Sequence, residues 1–225
     1  MRYDILLCDA DETLFDFPSG EKQALIDTFL SFGLEADENV TALYHQINDA
    51  LWKALERGEI TQEKLKTERF RQLIEIKNLA LTPEAMADAY VHNLSRQAHL
   101  MPGAEAFCQA VSAKMPIYLV TNGISIIQRA RLQRSTIAPY IADIIISQEV
   151  GARKPDPAML EVALSKAGIE KEKAVMLGDS ITADIPAANS AGVDSILITW
   201  GKSIKSAATY HVKDLREAQA IILSQ

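Results

Sequence analysis

Tyr3-Asp4-Ile5-Leu6-Leu7-Cys8 runs directly into Asp9-Ala10-Asp11-Glu12-Thr13, an apolar stretch that ends in paired carboxylates. The first six residues have the length of a buried strand and are apolar on both parities, as a sheet covered on both faces requires. Comparable runs return only after residue 115, at 117–120, 144–146, 174–177 and 195–199. Helical patterns separate them. The clearest spans 157–166, with Asp156 as N-cap, Pro157 at the first helical position and Gly168 just past the end. Strand and helix alternating at this spacing predict an α/β fold with a doubly wound parallel sheet. Residues 17–99 break the rhythm. Apolar residues recur there at three and four spacing (Ala24, Leu25, Thr28, Phe29; Leu43, Ile47, Leu51, Leu55; Leu65, Phe70, Leu73, Ile76), with breaks at Phe32-Gly33, Arg57-Gly58 and Thr82-Pro83. The reading is a core domain of 1–16 and 100–225, with a four-helix domain of 17–99 inserted after the first strand.

The 225 residues are 48% hydrophobic and 24% charged, which places the chain in the ordinary globular range and excludes disorder for most of it. Against 30 Asp plus Glu stand 23 Lys plus Arg, a formal charge of −7. That balance argues against a nucleic-acid partner, which needs clustered excess basic charge, but not against a small phosphorylated substrate. The two cysteines, Cys8 and Cys108, form no Cys-x-x-Cys and read as packed core thiols. The N-terminal apolar run meets acid too soon for a signal peptide or a membrane span, and no later run is long enough. A reduced, cytoplasmic protein with no membrane partner is expected; oligomeric state stays open. His45, His92, His99 and His211 are scattered and point to neither a zinc site nor a triad.

Four polar signals fall at predicted strand ends, where open α/β sheets place their ligands. Asp9 and Asp11 are close enough to raise one another's pKa, which points either to a shared proton or to a bound Mg²⁺; an ordinary turn would also carry such residues. Thr121-Asn122-Gly123 offers a hydroxyl and clustered N–H groups at a loop entering a helix. Lys154, flanked by Pro155, offers an ammonium to a carboxylate or a phosphoryl group. Gly178-Asp179-Ser180 ends a further strand, with Asp184 five residues after Asp179. If the strands are neighbours, the acids converge and need a divalent cation. If not, Asp179 caps a helix and Asp184 is solvated. The Arg129, Arg131, Arg134 group reads as a solvated helix face. Tyr44 and Trp52 read as packing residues of the helical insert rather than as a stack for a base.

The order Asp-x-Asp-x-Thr, Thr-Asn-Gly, Lys-Pro and Gly-Asp-Ser-x-x-x-Asp resembles the haloacid dehalogenase superfamily of aspartate-nucleophile phosphatases over the whole chain, the helical insert matching that superfamily's helical cap. Asp-Ala-Asp-Glu-Thr-Leu-Phe, Leu51-Trp52 with Gly58-Glu59-Ile60-Thr61, and Val120-Thr121-Asn122-Gly123 are most similar to its pyrimidine 5′-nucleotidases. Glu12 stands where the wider superfamily usually has glycine. The resemblance implies hydrolysis of a small phosphomonoester in two steps. Asp9 would attack phosphorus and Asp11 would act as general acid, then base. Thr121, the N–H groups near Asn122, and Lys154 would hold the phosphoryl charge. Mg²⁺ would bind Asp9, Asp179 and the backbone carbonyl of Asp11, with Asp184 acting through water. Rival readings are a sugar-phosphate phosphatase or phosphomutase, whose catalytic residues are the same, and a phospho-receiver module, which would keep its phosphate. A dehalogenase would have no use for the Asp11 and Asp179 set.

Overall fold

In the computed structural model, which describes residues 2–224 apart from the Glu56 side chain, six strands pair in parallel: β1 (Ile5–Cys8), β2 (Ile117–Thr121), β3 (Asp143–Ile146), β4 (Ala174–Gly178), β5 (Asp194–Ile198) and β6 (Tyr210–Val212). Their order is β3-β2-β1-β4-β5-β6, the doubly wound sheet that the strand–helix alternation predicts. β6 is a correction: three residues with an exposed His211 at the centre carry too little periodicity to be recognised. The helices are α1 (Phe17–Ser31), α2 (Glu38–Glu56), α3 (Gln62–Lys77), α4 (Pro83–Leu94), α5 (Ala104–Ser112), α6 (Ser125–Arg134), α7 (Ser147–Val150), α8 (Ala158–Ala167), α9 (Asp184–Ala191) and α10 (Leu215–Ile222). The chain divides into two units, Met1–Phe17 with Ala98–Gln225, and Pro18–Gln97.

Side chains of β1 alternate between two apolar layers, because successive residues of a strand point to opposite faces. Leu6 and Cys8 join Phe107, Cys108, Val111, Leu215 and Ile222, the inner faces of α5 and α10. Ile5 and Leu7 join Met159, Leu160, Ala163, Ala187 and Ala188 from α8 and α9. Both layers are apolar, and β1 and β4 are buried throughout between them. Helix α8 begins one residue later than its sequence predicts: Pro157 occupies the N-cap position, and the Asp156 carboxylate accepts from Ala158 N–H at 2.9 Å.

In the second unit, the predicted breaks coincide with helix ends. Asp37, Thr61 and Thr82 accept the N–H of the third residue beyond them and so start α2, α3 and α4, with Pro83 at the first position of α4. Leu25, Phe29, Leu65, Phe70, Leu73, Met86 and Tyr90 are buried. Among the described residues, no helix is long and apolar enough to cross a membrane.

Candidate active site

Asp9 follows β1, and its N–H donates to Leu177 O at 2.8 Å, which holds the loop to the neighbouring β4. β1 lies between β2 and β4, so its carboxyl end is flanked by Thr121 and Gly178. Chain connection changes sense here, which opens a crevice beyond the strand ends. Lys154 enters that crevice buried: Nζ lies 2.5 Å from Asp9 Oδ1 and 2.6 Å from Asp184 Oδ1, and donates to Val120 O at 2.5 Å. Its backbone is held by Asn122, whose side-chain amide donates to Lys154 O at 2.8 Å and accepts from Lys154 N at 2.9 Å. The Asn122 side chain is thereby engaged with the lysine loop. Thr121 is buried, and its Oγ1 accepts from Gly123 N at 3.1 Å.

Asp184 is 1% exposed, so the solvated reading of this residue is wrong. It opens α9, and its Oδ2 accepts from Ser180 N at 3.0 Å. Gly178 is required for this approach, because a Cβ there would lie 2.6 Å from Asp184 Cβ. Asp179 accepts from the buried Thr13 hydroxyl at 3.3 Å. Oxygens of Asp9, Asp179 and Asp184 lie within 4.8 Å of one another. Burial pushes the Asp9 carboxyl well above the usual range, with Lys154 opposing and Asp184, Asp179 and Asp11 adding to it. Burial, then Asp184 and Glu12, bring Asp179 up to about 7. Burial works against the Lys154 charge, but Asp184 and Asp9 outweigh it and hold its proton more tightly than usual. The two carboxyls rise chiefly because burial disfavours their charged form, and Lys154 rises because two carboxylates favour its charged form.

With all groups ionised, three carboxylates and one ammonium leave two negative charges in a buried crevice. A hard divalent cation with oxygen preference fits that donor set. Asp9, Asp179 and Asp184 are the side chains available to hold it.

Asp11 has partners that its sequence context did not disclose. Oδ1 accepts from Arg131 Nη1 at 2.5 Å and Oδ2 from Gln128 Nε2 at 2.5 Å; the same Gln128 nitrogen lies 3.3 Å from Thr121 Oγ1. Arg131 is 1% exposed and lies over the Phe15 ring at 4.7 Å. The expectation of a solvated arginine face therefore fails at this residue. Arg129 instead pairs with Glu149 near the surface, and Arg134 is exposed. The three arginines are neighbours in sequence, but only 131 falls on the stripe Ile124, Ile127, Gln128, Arg131, Ser135, which is buried at helical spacing. Polar residues, Gln128, Arg131 and Ser135, in register with Ile124 and Ile127 were the available signal.

Glu12 adopts φ 59°, in the left-handed region where a Cβ is strained. Glycine would take this φ without that strain. The Glu12 carbonyl accepts from Trp200 Nε1 at 2.7 Å, which braces the loop. In the helical unit, Tyr44 packs with Phe70 and Tyr90, their ring centroids 5.2–5.5 Å apart, in keeping with its reading as a packing residue. A polar chain lies beside the rings: the buried Glu21 meets the exposed His45 at 3.0 Å and the buried Asn48 at 2.8 Å, and Asn48 accepts from the buried Arg69 at 3.1 Å. Cys8 and Cys108 are buried free thiols.

A carboxylate after β1, the buried Lys154 ammonium and the Asp179/Asp184 pair after β4 thus meet beyond the carboxyl ends of a parallel sheet. The sequence profile of the haloacid dehalogenase-like hydrolases matches residues 3–192, and the chain belongs to that family. It is 35% identical over 198 residues to pyrimidine 5′-nucleotidase PynA of Streptococcus pneumoniae, covering 87% of this chain and 84% of the relative. It is 31% identical over 196 residues to pyrimidine 5′-nucleotidase YjjG of Escherichia coli, covering 86% and 84%. Among solved structures, the HAD-hydrolase YfnB from Bacillus subtilis, bound to magnesium, matches over 100% of both chains with a TM-score of 0.91 at 28% identity.

Proposed function

We propose that this protein is a Mg²⁺-dependent phosphomonoesterase that hydrolyses pyrimidine nucleoside 5′-monophosphates through an aspartyl-phosphate on Asp9. The observation that carries the reading is the meeting of Asp9, Lys154 and the Asp179/Asp184 pair in one buried crevice, a nucleophile beside the cation that would share its phosphoryl load. The similarity to PynA and YjjG supports the choice of leaving group.

In the first step, a carboxylate oxygen of Asp9 attacks phosphorus. The bond from phosphorus to the nucleoside oxygen breaks, its electron pair stays on that oxygen, and the oxygen takes a proton from Asp11. In the second, water attacks the same phosphorus and gives its proton to Asp11, the Asp9–phosphorus bond breaks, and inorganic phosphate leaves. Lys154, the Thr121 hydroxyl and the N–H groups beside Asn122 stabilise charge on the transferring oxygens, where most of the rate enhancement of phosphoryl transfer lies. Asp9, Asp179 and the Asp11 carbonyl, with Asp184 acting through water, would hold Mg²⁺, which would supply positive charge to the phosphoryl oxygens. Discrimination between leaving groups is assigned to the helical unit.

The test is phosphate release with Mg²⁺ from dUMP, dTMP, UMP, AMP and a panel of sugar phosphates. Faster turnover of the pyrimidine monophosphates, lost with EDTA, is expected; faster turnover of sugar phosphates would overturn the substrate while keeping the chemistry.

The metal also makes a prediction about stability. A carboxyl raised from 3.8 to about 7 by folding, as at Asp179, binds its proton more tightly in the folded state. Its contribution is present below the unfolded pKa and is lost as pH rises through that window. Metal-free protein should therefore lose stability as pH rises from about 4 to about 7. Added Mg²⁺ should raise Tm more at about pH 8 than at about pH 5, because metal ligands must be deprotonated. Equal shifts at both pH values would count against these ligands.

A further inference from the structure

We infer that Arg131 and Gln128 are positioning residues for Asp11, a clamp on α6 that aims the proton-transferring carboxyl; this rests on the acid–base role proposed for Asp11. Three observations carry it. Each Asp11 oxygen has its own donor, Arg131 on Oδ1 and Gln128 on Oδ2, both at 2.5 Å, so the carboxylate plane is fixed by two contacts rather than left to rotate. The donors are themselves held. Arg131 is buried over the Phe15 and Phe17 rings at 4.7 and 5.6 Å, and Gln128 Oε1 accepts from Arg131 at 3.4 Å. Finally, the backbone makes room for the clamp: a Cβ on Gly123 would lie 2.6 Å from Gln128 Cγ. The glycine of Thr121-Asn122-Gly123 thus has a steric duty, to let Gln128 cross to Asp11.

Spacing explains why one helix supplies both donors. Residues three apart share a helix face, and α6 leaves β2, the strand beside β1. The Gln128 nitrogen that holds Asp11 also approaches Thr121, so the proton-transferring side chain and the phosphate-loop hydroxyl are referenced to one amide. The clamp does not block chemistry. Protonated, as the first step needs it, the carboxyl keeps one O–H to donate and an acceptor site on each oxygen for the clamp; ionised, it offers about four acceptor sites, of which the clamp takes two.

A positioning role and a purely structural one differ in which substrates suffer. p-Nitrophenolate leaves without help from a proton, whereas the more basic phenolate depends on it. The readout is kcat/KM for p-nitrophenyl phosphate divided by kcat/KM for phenyl phosphate, which reports the first step only and does not depend on the fraction of protein folded. Neither substrate carries a nucleobase, so the result is independent of base preference. Asp11→Asn should raise the ratio about 100-fold, the usual worth of general acid catalysis. Arg131→Met and Gln128→Met should each raise it about tenfold, in the same direction. Arg131→Lys, which keeps the charge, should fall between wild type and Arg131→Met. A ratio unchanged in Arg131→Met and Gln128→Met but raised in Asp11→Asn would overturn the clamp and leave the role of Asp11 standing. A ratio unchanged in Asp11→Asn would remove that role and the clamp with it.

Discussion

Asp9→Asn should abolish phosphate release, by about 10⁵-fold or more, as loss of a covalent nucleophile does in other enzymes. The same substitution should leave Tm at or above that of the native protein. Asp9 is one of three carboxylates crowded around a single ammonium, and an amide of nearly identical shape keeps an oxygen for Lys154 while removing a charge. Activity and stability should thus move in opposite directions, the mark of a residue kept for chemistry against its electrostatic cost. Single-turnover labelling with radioactive phosphate adds a second check, since phosphoprotein should form transiently in the native enzyme and not in the variant. Residual turnover within tenfold of native, or a label that persists in the native protein, would refute Asp9 as a nucleophile that turns over.

Lys154→Met should do the reverse and damage both properties. The ammonium touches Asp9 and Asp184 and is 3% exposed, so its removal leaves buried acids with no cation between them. Breaking a buried ion pair from one side costs about 3 kcal/mol or more. Loss of one preformed charge aimed at the transferring group should lower kcat about 10³-fold. Mg²⁺ should restore part of the lost stability, because it meets the same carboxylates, but not the rate. Denaturant melts with and without Mg²⁺, read beside kcat, separate the two effects. A variant as stable as the native protein without metal would show that Lys154 does not compensate the cluster.

These two residues were legible before any fold was known, and so was the sheet that carries them. Apolar runs of strand length, a helix bounded by Pro157 and Gly168, and Thr82-Pro83 at the start of α4 are local signals, because caps, turns and strand burial act over a few residues. β6 was missed for the converse reason. Three residues at a sheet edge owe their conformation to β5, whose Ile196–Ile198 they pair with, rather than to their own pattern. The helix after Thr121-Asn122-Gly123 was recognisable as a helix, but its faces could not be assigned. Arg129, Arg131 and Arg134 look alike in sequence, and only packing against Phe15 and Phe17 separates the one that meets Asp11 from the two nearer solvent.

From the sequence came the class of chemistry: carboxylates at strand ends, a lysine before proline, and acids whose mutual repulsion calls for a cation. Charge and residue type suffice for that, since repulsion between like groups needs only their proximity. Tertiary structure decided which groups share a partner. Strand order brings Asp9 beside Asp179, burial strips Asp184 and Lys154 of water and forces them together, and α6 turns Gln128 and Arg131 back onto Asp11, in a loop more than a hundred residues earlier. A buried charge must find its counterion wherever the fold supplies one, and that distance is not written in local sequence.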